Sequence, residues 1–183
     1  MAASSLMVPL GSQAPDFTLP DTTGTMIGRD DFSAVPALLV AFLCNHCPSV
    51  CHVETVLGTL LSHYPELAVM GICTNDADAY PGDRAAGACR AGPPRRLEFP
   101  YLVDADQRAD RAYHAACTPD FFLFDGNLKL VYRGQFDASR PGSGIPVTGQ
   151  DLRAAMDAVI AGKPVAKEQK PSIGCNIKWK GGY

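Results

Sequence analysis

The sequence lacks a long apolar run, a block of like charge and any internal repeat, and each absence excludes a class of protein. The longest apolar run, residues 34–44, contains Pro36 and falls well short of the roughly 20 residues that cross a bilayer. Sixteen basic and 19 acidic residues are dispersed along the chain and give a net charge of −3, without the basic patch of a nucleic-acid-binding protein. We therefore expect neither a membrane nor a nucleic acid as partner.

The N-terminal residues also lack the basic start and apolar centre of a signal peptide, which predicts a cytoplasmic location. At 183 residues and 46% hydrophobic, the chain suits one domain with a substantial core. We place this domain at residues 1–162, followed by a C-terminal extension over residues 163–183 that packs on or near it. The extension has the scattered Pro and Gly of irregular structure.

Hydrophobic periodicity predicts alternating strands and helices. Strands are expected at 37–43, 67–72, 99–103, 121–124 and 129–133, helices from 48 and at 84–91, 106–115 and 152–160, and a hairpin at 17–20 and 26–28. Thr148 resembles the start of a capping box for the last helix. This order predicts an α/β fold with a buried, partly parallel sheet.

Seven cysteines are the most unusual feature of the composition, and three of them, Cys44, Cys47 and Cys51, fall within eight positions. An odd number of cysteines without an export signal disfavours a disulfide framework and favours catalytic, redox or metal-binding use. The cluster follows a predicted buried strand and begins a predicted helix.

Cys44 and Cys47 form a C-x-x-C motif at this strand-to-helix junction. The positive end of the helix dipole favours thiolate over thiol, and thiolate is the reactive form in disulfide exchange. His46 can add positive charge or a hydrogen bond to the reduced pair. The same motif can also supply half of a zinc site, but no second C-x-x-C or H-x3-H follows it. Redox use is therefore predicted, with no cofactor.

Thr118-Pro119 leads directly into a predicted strand. Proline cannot donate to a strand ladder and is confined to strand starts and edges, so this pair predicts a conformationally fixed turn that can be cis. Its position about seventy residues after a strand, C-x-x-C and helix makes the combination specific.

These features resemble the thioredoxin fold, in which a dithiol faces a cis-proline loop. Residues 14–20, APDFTLP, resemble the opening of the alkyl hydroperoxide reductase/thiol-specific antioxidant family, the redoxins. CNHCPSV, CTPDFFLFD, LVYRGQFDASRP and PSIGCNIKWK are similar to a peroxiredoxin-like group within it. The resemblance implies a central mixed sheet flanked by helices, with an N-terminal hairpin and the C-terminal extension.

The resemblance also implies a thiol-disulfide oxidoreductase or peroxiredoxin-like antioxidant enzyme. Its substrates would be a disulfide-bearing protein or a small thiol or peroxide, with a thiol reductant. In the thioredoxin order, Cys44 is the exposed nucleophile, Cys47 resolves, and the backbone beside Pro119 holds the partner chain. In the peroxiredoxin order, Cys47 attacks peroxide and Cys44 resolves, although Cys44 stands where a peroxide-positioning threonine is expected. Both orders stay open.

An alternative from another class is a copper-binding protein. Cys47 and Cys51 have the C-P-x-x-C spacing of the copper-delivering assembly factors of cytochrome oxidase, and soft thiolates favour Cu(I). That family's third ligand is a histidine, but Cys117 stands in its place, so the ligand set would be Cys47, Cys51 and Cys117.

Further cysteines have secondary predicted roles. Cys117 and Thr118 border the proline loop and can support or resolve the dithiol. Cys175 can resolve it if the tail folds back to within disulfide reach, about 7 Å between Cα atoms. Cys73 and Cys89 are expected to be packed, unreactive thiols.

Overall fold

The computed structural model of the chain describes residues 2–83 and 99–181. The predicted helix at 84–91, with Cys89, lies outside the described residues. The strands are β1 (Ala2–Ser4), β2 (Thr18–Pro20), β3 (Met26–Gly28), β4 (Ala37–Phe42), β5 (Ala68–Cys73), β6 (Tyr101–Val103), β7 (Cys117–Thr118), β8 (Asp120–Asp125), β9 (Leu130–Gly134) and β10 (Ile173–Asn176). The helices are α1 (Pro48–Leu61), α2 (Arg108–Tyr113) and α3 (Gln150–Ile160), with short 3-10 turns at Arg29–Phe32 and Pro81–Asp83. Among these described helices, none is long and apolar enough to span a membrane.

The central sheet has five strands in the order β6-β5-β4-β8-β9. Strand β4 runs parallel to β5 and antiparallel to β8, so the sheet is mixed. All six residues of β4 are buried, because helices or connecting segments cover both faces of the sheet at its centre. The predicted N-terminal hairpin is also present, as the antiparallel pair β2 and β3.

The two faces of the sheet carry separate cores. On one face, α1 and α3 bury their apolar stripes against alternate side chains of β4 and β8, such as Leu39 and Phe121. On the other face, Tyr113 of α2 packs among Phe42, Phe122 and Phe124 with ring centroids 5.6–5.9 Å apart. The helix predicted from position 48 begins there, since proline suits the first helical turn.

The start of α3 differs from the predicted capping box at Thr148. Gly149 is the N-cap residue, in a left-handed conformation (φ 66°), and the Thr148 hydroxyl accepts only the backbone N–H of Gln150, at 3.3 Å. The Asp137 carboxylate instead accepts the backbone N–H groups of Thr148 and Gly149, both at 2.7 Å. The Asp137 carboxylate thereby fixes the segment that leads into α3.

The C-terminal extension differs more from expectation, because its predicted irregular course contains β10. This strand lies between β1 and β7 in a second, three-stranded antiparallel sheet, and Cys175 is the register partner of Thr118. Two glycines permit the fit. A Cβ at Gly174 would collide with the Thr118 carbonyl oxygen, and one at Gly134 with that of Lys170. The extension is thereby held directly beside the proline loop.

Candidate thiol site

The predicted dithiol lies where β4 passes into α1, at one end of the central sheet. Cys44 follows the strand by two residues, and Cys47 is the N-cap residue of α1. Across from them, the Thr118-Pro119 peptide bond is cis. The Thr118 hydroxyl lies 3.5 Å from Cys44 Sγ, and Cys47 Sγ donates to the Thr118 carbonyl oxygen at 3.2 Å. Thr118 therefore contacts both sulfurs of the predicted pair.

Of the two thiols in the motif, Cys47 is the one that ionises more readily. Hydrogen bonding from the Cys44 thiol lowers the pKa of Cys47 to about 4, against the opposing effect of burial, and the Cys175 thiol, the Thr118 hydroxyl and the Val50 backbone N–H act in the same direction. The Thr118 carbonyl oxygen can only accept a hydrogen bond, so it favours the protonated form of Cys47. Four donors act against this one acceptor and favour the thiolate. The site thus stabilises a thiolate at the start of a helix.

Cys44 has the opposite character. Its hydrogen bond to Cys47 and its burial raise the pKa of Cys44, and the negative charge of Asp83 raises it further. Only 3% of Cys44 is exposed, against 2% of Cys47. The expectation that Cys44 is the exposed member of the pair is therefore wrong: both thiols are buried, and Cys44 serves the other as a donor.

His46 contacts a buried carboxylate. Its Nδ1 lies 3.0 Å from Asp83 Oδ1, and its half-exposed ring stacks on Tyr80. Asp83, which the sequence analysis did not identify, is buried and also accepts hydrogen bonds from the Asn45 backbone and the Asn75 side chain. His46 thus contacts Asp83 and Tyr80 at the edge of the site. No spacing pattern connects position 83 with the motif, because a loop brings it there.

Cys175 reaches the dithiol from the opposite side. Its Sγ lies 2.7 Å from Cys47 Sγ, and the hydrogen bond places Cys47 as donor in the fully protonated site. Burial and this contact raise the pKa of Cys175, while the backbone N–H and hydroxyl of Ser49 lower it. The structure therefore brings together three thiols, Cys44, Cys47 and Cys175, of which sequence spacing identifies the first two.

The predicted copper ligands do not converge. Cys117 is fully buried and its Sγ is directed to the Pro119 carbonyl oxygen at 3.8 Å, whereas Cys51 is exposed and its Sγ lies 3.8 Å from the Asn45 carbonyl oxygen. Over residues 2–83 and 99–181, no group of three His, Cys, Asp or Glu side chains is arranged to hold a metal ion. The alternative ligand set of Cys47, Cys51 and Cys117 is therefore not assembled. Burial likewise raises the pKa of Cys117.

The backbone beside Pro119 is already paired. The sequence predicts that it holds a partner chain, but β10 occupies the edge of β7, with Cys175 opposite Thr118. Pro119 also lines a cavity of about 20 Å³ together with Ser49, His52 and Arg140. This cavity has room for about one water-sized group, and its lining includes none of Cys44, Cys47 and Cys175.

A mixed sheet, helices on both faces and a cysteine at a helix start opposite a cis-proline define a thioredoxin-like thiol protein. Residues 10–133 match the AhpC/TSA family. The chain belongs to this family, and the predicted fold and family are confirmed. Membership supports a thiol-based redox function.

Solved structures agree. The chain is similar to a hypothetical protein from Sinorhizobium meliloti 1021, with 49% identity, 98% of this chain and 99% of that chain covered, and a TM-score of 0.93. An uncharacterized conserved protein from Geobacillus kaustophilus is 46% identical, with 100% and 98% covered and a TM-score of 0.95. A putative thiol:disulfide interchange protein DsbE from Chlorobium tepidum shares the fold, at 19% identity, 84% and 96% coverage and a TM-score of 0.60. Comparison with curated proteins returned no significant match.

Proposed function

We propose that this protein is a peroxiredoxin-like thiol oxidoreductase. Cys47 is the attacking thiolate, and Cys44 is the second thiol of the pair that reduction restores after each cycle. The observation that carries the proposal is the environment of Cys47, an N-cap sulfur surrounded by donors that lower its pKa to about 4. At neutral pH such a sulfur is ionised and ready to attack.

A small oxidant suits the site best. Cys47 is 2% exposed, and β10 pairs with the strand beside it. A hydroperoxide can enter where a folded protein cannot. Cys47 thiolate attacks one oxygen of the O–O bond, which breaks to give Cys47 sulfenic acid and hydroxide or alkoxide. A neighbouring thiol then attacks the sulfenic sulfur, forming a disulfide and releasing water.

The second candidate is exchange with a disulfide, which the cis peptide bond at Pro119 opposite the dithiol favours. Cys47 thiolate would attack one sulfur of the substrate disulfide, form a mixed disulfide and release the other substrate sulfur as thiolate. A small disulfide fits this step with β10 in place, whereas a protein disulfide requires β10 to leave β7.

Anaerobically reduced protein mixed with one equivalent of hydrogen peroxide tests the proposal. Peroxide loss is followed over time, and a sulfenic-acid-specific reagent with mass spectrometry locates the oxidised cysteine. We expect Cys47 to be oxidised first and Cys47→Ser to lose all peroxide consumption. Cys51→Ser is the matched control, since Cys51 is one helical turn away and exposed, and it should consume peroxide at the wild-type rate. First oxidation at Cys44 would contradict the proposed order.

A further inference from the structure

Strand β10 places a third thiol at the site, beyond the C-x-x-C pair of the proposed function. Cys175 Sγ lies 2.7 Å from Cys47 Sγ, so a shift of about 0.7 Å brings the two sulfurs to the 2.03–2.05 Å of a disulfide. Cys175 is half-buried, whereas Cys44 is almost fully enclosed. Of the two neighbours of Cys47, Cys175 is therefore the one that stands between Cys47 and the outside.

The position of Cys175 is fixed by the fold. It is the register partner of Thr118, directly before the cis-proline, and the absence of a side chain at Gly174 lets the strand lie against the Thr118 carbonyl. On either side of β10, the Ser5 backbone N–H donates to Ser172 O at 2.9 Å and the Lys178 backbone N–H donates to Asn75 Oδ1 at 2.9 Å. The extension thus holds a cysteine where an incoming partner strand would present one.

Ser49, in the first turn of α1, completes the arrangement. Its backbone N–H and hydroxyl both face Cys175 Sγ and favour the thiolate form of that sulfur. The same helix start therefore supports two sulfurs, Cys47 as N-cap and Cys175 across the groove. Such support is what an attacking thiol needs when it resolves an oxidised neighbour.

We propose that Cys175 is the first resolving cysteine, so that the oxidation cycle passes through a Cys47–Cys175 disulfide within one chain. This inference rests on the proposed function, in which Cys47 is oxidised first. Cys175 attacks the sulfenic sulfur of Cys47, the S–O bond breaks, and the hydroxyl leaves as water with the Cys175 proton. Cys44 then attacks Cys47 as thiolate and releases Cys175 as thiolate, which leaves the Cys44–Cys47 disulfide.

Disulfide mapping after trypsin tests this step, because the sequence separates the two outcomes. Residues 30–84 form one tryptic peptide containing Cys44, Cys47, Cys51 and Cys73, while Cys175 lies in residues 168–178. Reduced wild-type protein is oxidised with one equivalent of hydrogen peroxide, quenched with acid and an alkylating reagent at successive times, and digested without reduction. We expect a cross-link between these two peptides to appear before the internal disulfide of peptide 30–84, with fragmentation both between positions 44 and 47 and between positions 47 and 51 assigning it to Cys47.

Variants sharpen the result. In Cys44→Ser the cross-link should accumulate and persist, since the second exchange is removed. In Cys175→Ser the sulfenic acid at Cys47 should last at least about tenfold longer, because an intramolecular attack at close range is lost. Cys51→Ser should behave as wild type. The inference is overturned if Cys47 is oxidised yet pairs only within peptide 30–84, or with Cys117 in peptide 112–129.

A second oxidant separates this inference from the proposed function. Diamide oxidises dithiols to disulfides without a sulfenic acid, so it requires no peroxide chemistry. If peroxide leaves Cys47 untouched but diamide yields the Cys47–Cys175 cross-link, the proposed peroxidase step fails and the pairing of these cysteines stands. If both oxidants give only the Cys44–Cys47 disulfide, the pairing fails and the proposed function stands.

Discussion

Two buried acidic groups, Cys47 at the start of α1 and Asp110 within α2, respond to burial in opposite ways. Burial raises the pKa of Asp110 to about 8, with the charges of Asp104 and Asp120 adding to the effect. Cys47 is as well buried, yet the donors around it lower its pKa to about 4. The difference lies in the partners, because neither oxygen of Asp110 has a hydrogen-bond partner among residues 2–83 and 99–181.

This contrast separates a reactive group from an inert one. Burial alone disfavours charge and raises the pKa of either group. Only hydrogen-bond donors to the charged form turn this into a lowered pKa. Cys47 is therefore held as an anion in a place that repels bulk water, which suits a nucleophile. Asp110 is held neutral in α2, on the opposite face of the sheet.

Replacing Cys47 with Ser gives the largest expected change. All peroxide consumption is lost, and so is one source of pH-dependent stability. The pKa of Cys47 is lowered from 9.0 to about 4 on folding, so its contribution to stability is complete above about pH 9 and disappears as pH falls through about 4. Urea unfolding of reduced protein from pH 4 to pH 9 should show this pH-dependent part of the unfolding free energy in wild type and in Cys44→Ser, which keeps the Cys47 thiolate. It should be absent in Cys47→Ser.

Asp110→Asn removes the buried carboxyl group whose pKa is raised. The folded pKa of Asp110 is raised from 3.8 to about 8, so the contribution of Asp110 to stability is complete below about pH 4 and is lost as pH rises through about 8. The cost is on the order of 1 kcal/mol per pH unit in that range. We expect Asp110→Asn to be more stable than wild type near pH 8 and to have a flatter profile. Asp106→Asn, at an exposed position, is the control and should keep the wild-type slope.

Gly174→Ala tests whether the C-terminal strand belongs to the site. The added methyl group collides with the Thr118 carbonyl, so β10 must shift and withdraw Cys175 from Cys47. We expect a loss of about 1–3 kcal/mol in unfolding free energy and a higher pKa for Cys47. Gly28→Ala, whose Cβ would meet only ordinary contacts, should change neither property. An unaltered Cys47 pKa in a demonstrably displaced strand would show that Cys175 contributes nothing to the thiolate.

Thr118→Val gives the smallest expected effect. It removes one hydroxyl donor while keeping the branched shape, so the pKa of Cys47 should rise by about one unit. Thr74→Val is a matched control. It removes a buried hydroxyl that donates to Asp104, whose charge acts on Asp110. That variant should alter stability and leave the Cys47 pKa unchanged. Equal shifts in both variants would indicate a general loosening of the fold.

The sequence predicts the central sheet well because the elements are set by local patterns. The buried run of β4 and the stripe of Val50, Val53 and Leu57 in α1 form strand and helix as periodicity requires. The features that the sequence does not predict depend on contacts between residues that are distant along the chain. Asp137 holds the two residues before α3 from eleven or more residues away, and β10 exists because distant strands offer it edges, so neither has a pattern of its own.

The candidate site divides in the same way. Cys47 at a helix start and Pro119 before a strand follow from spacing, whereas Asp83 is brought in by a loop and Cys175 by a tail with scattered turns. The order of attack could not be predicted from the motif, because it depends on which sulfur receives hydrogen bonds. That information resides in the packing of β4, β7 and β10 around α1.

The most direct test of the central claim is a pH titration of reduced protein by thiolate ultraviolet absorbance, with Cys47→Ser subtracted from wild type. Absorbance requires no reagent to reach the buried sulfur. We predict a difference titration with a midpoint near pH 4, and that Cys44→Ala, which removes the leading donor, shifts this midpoint upward. A midpoint near the ordinary thiol value of about 8.5 would contradict the assignment of Cys47 as the attacking thiolate.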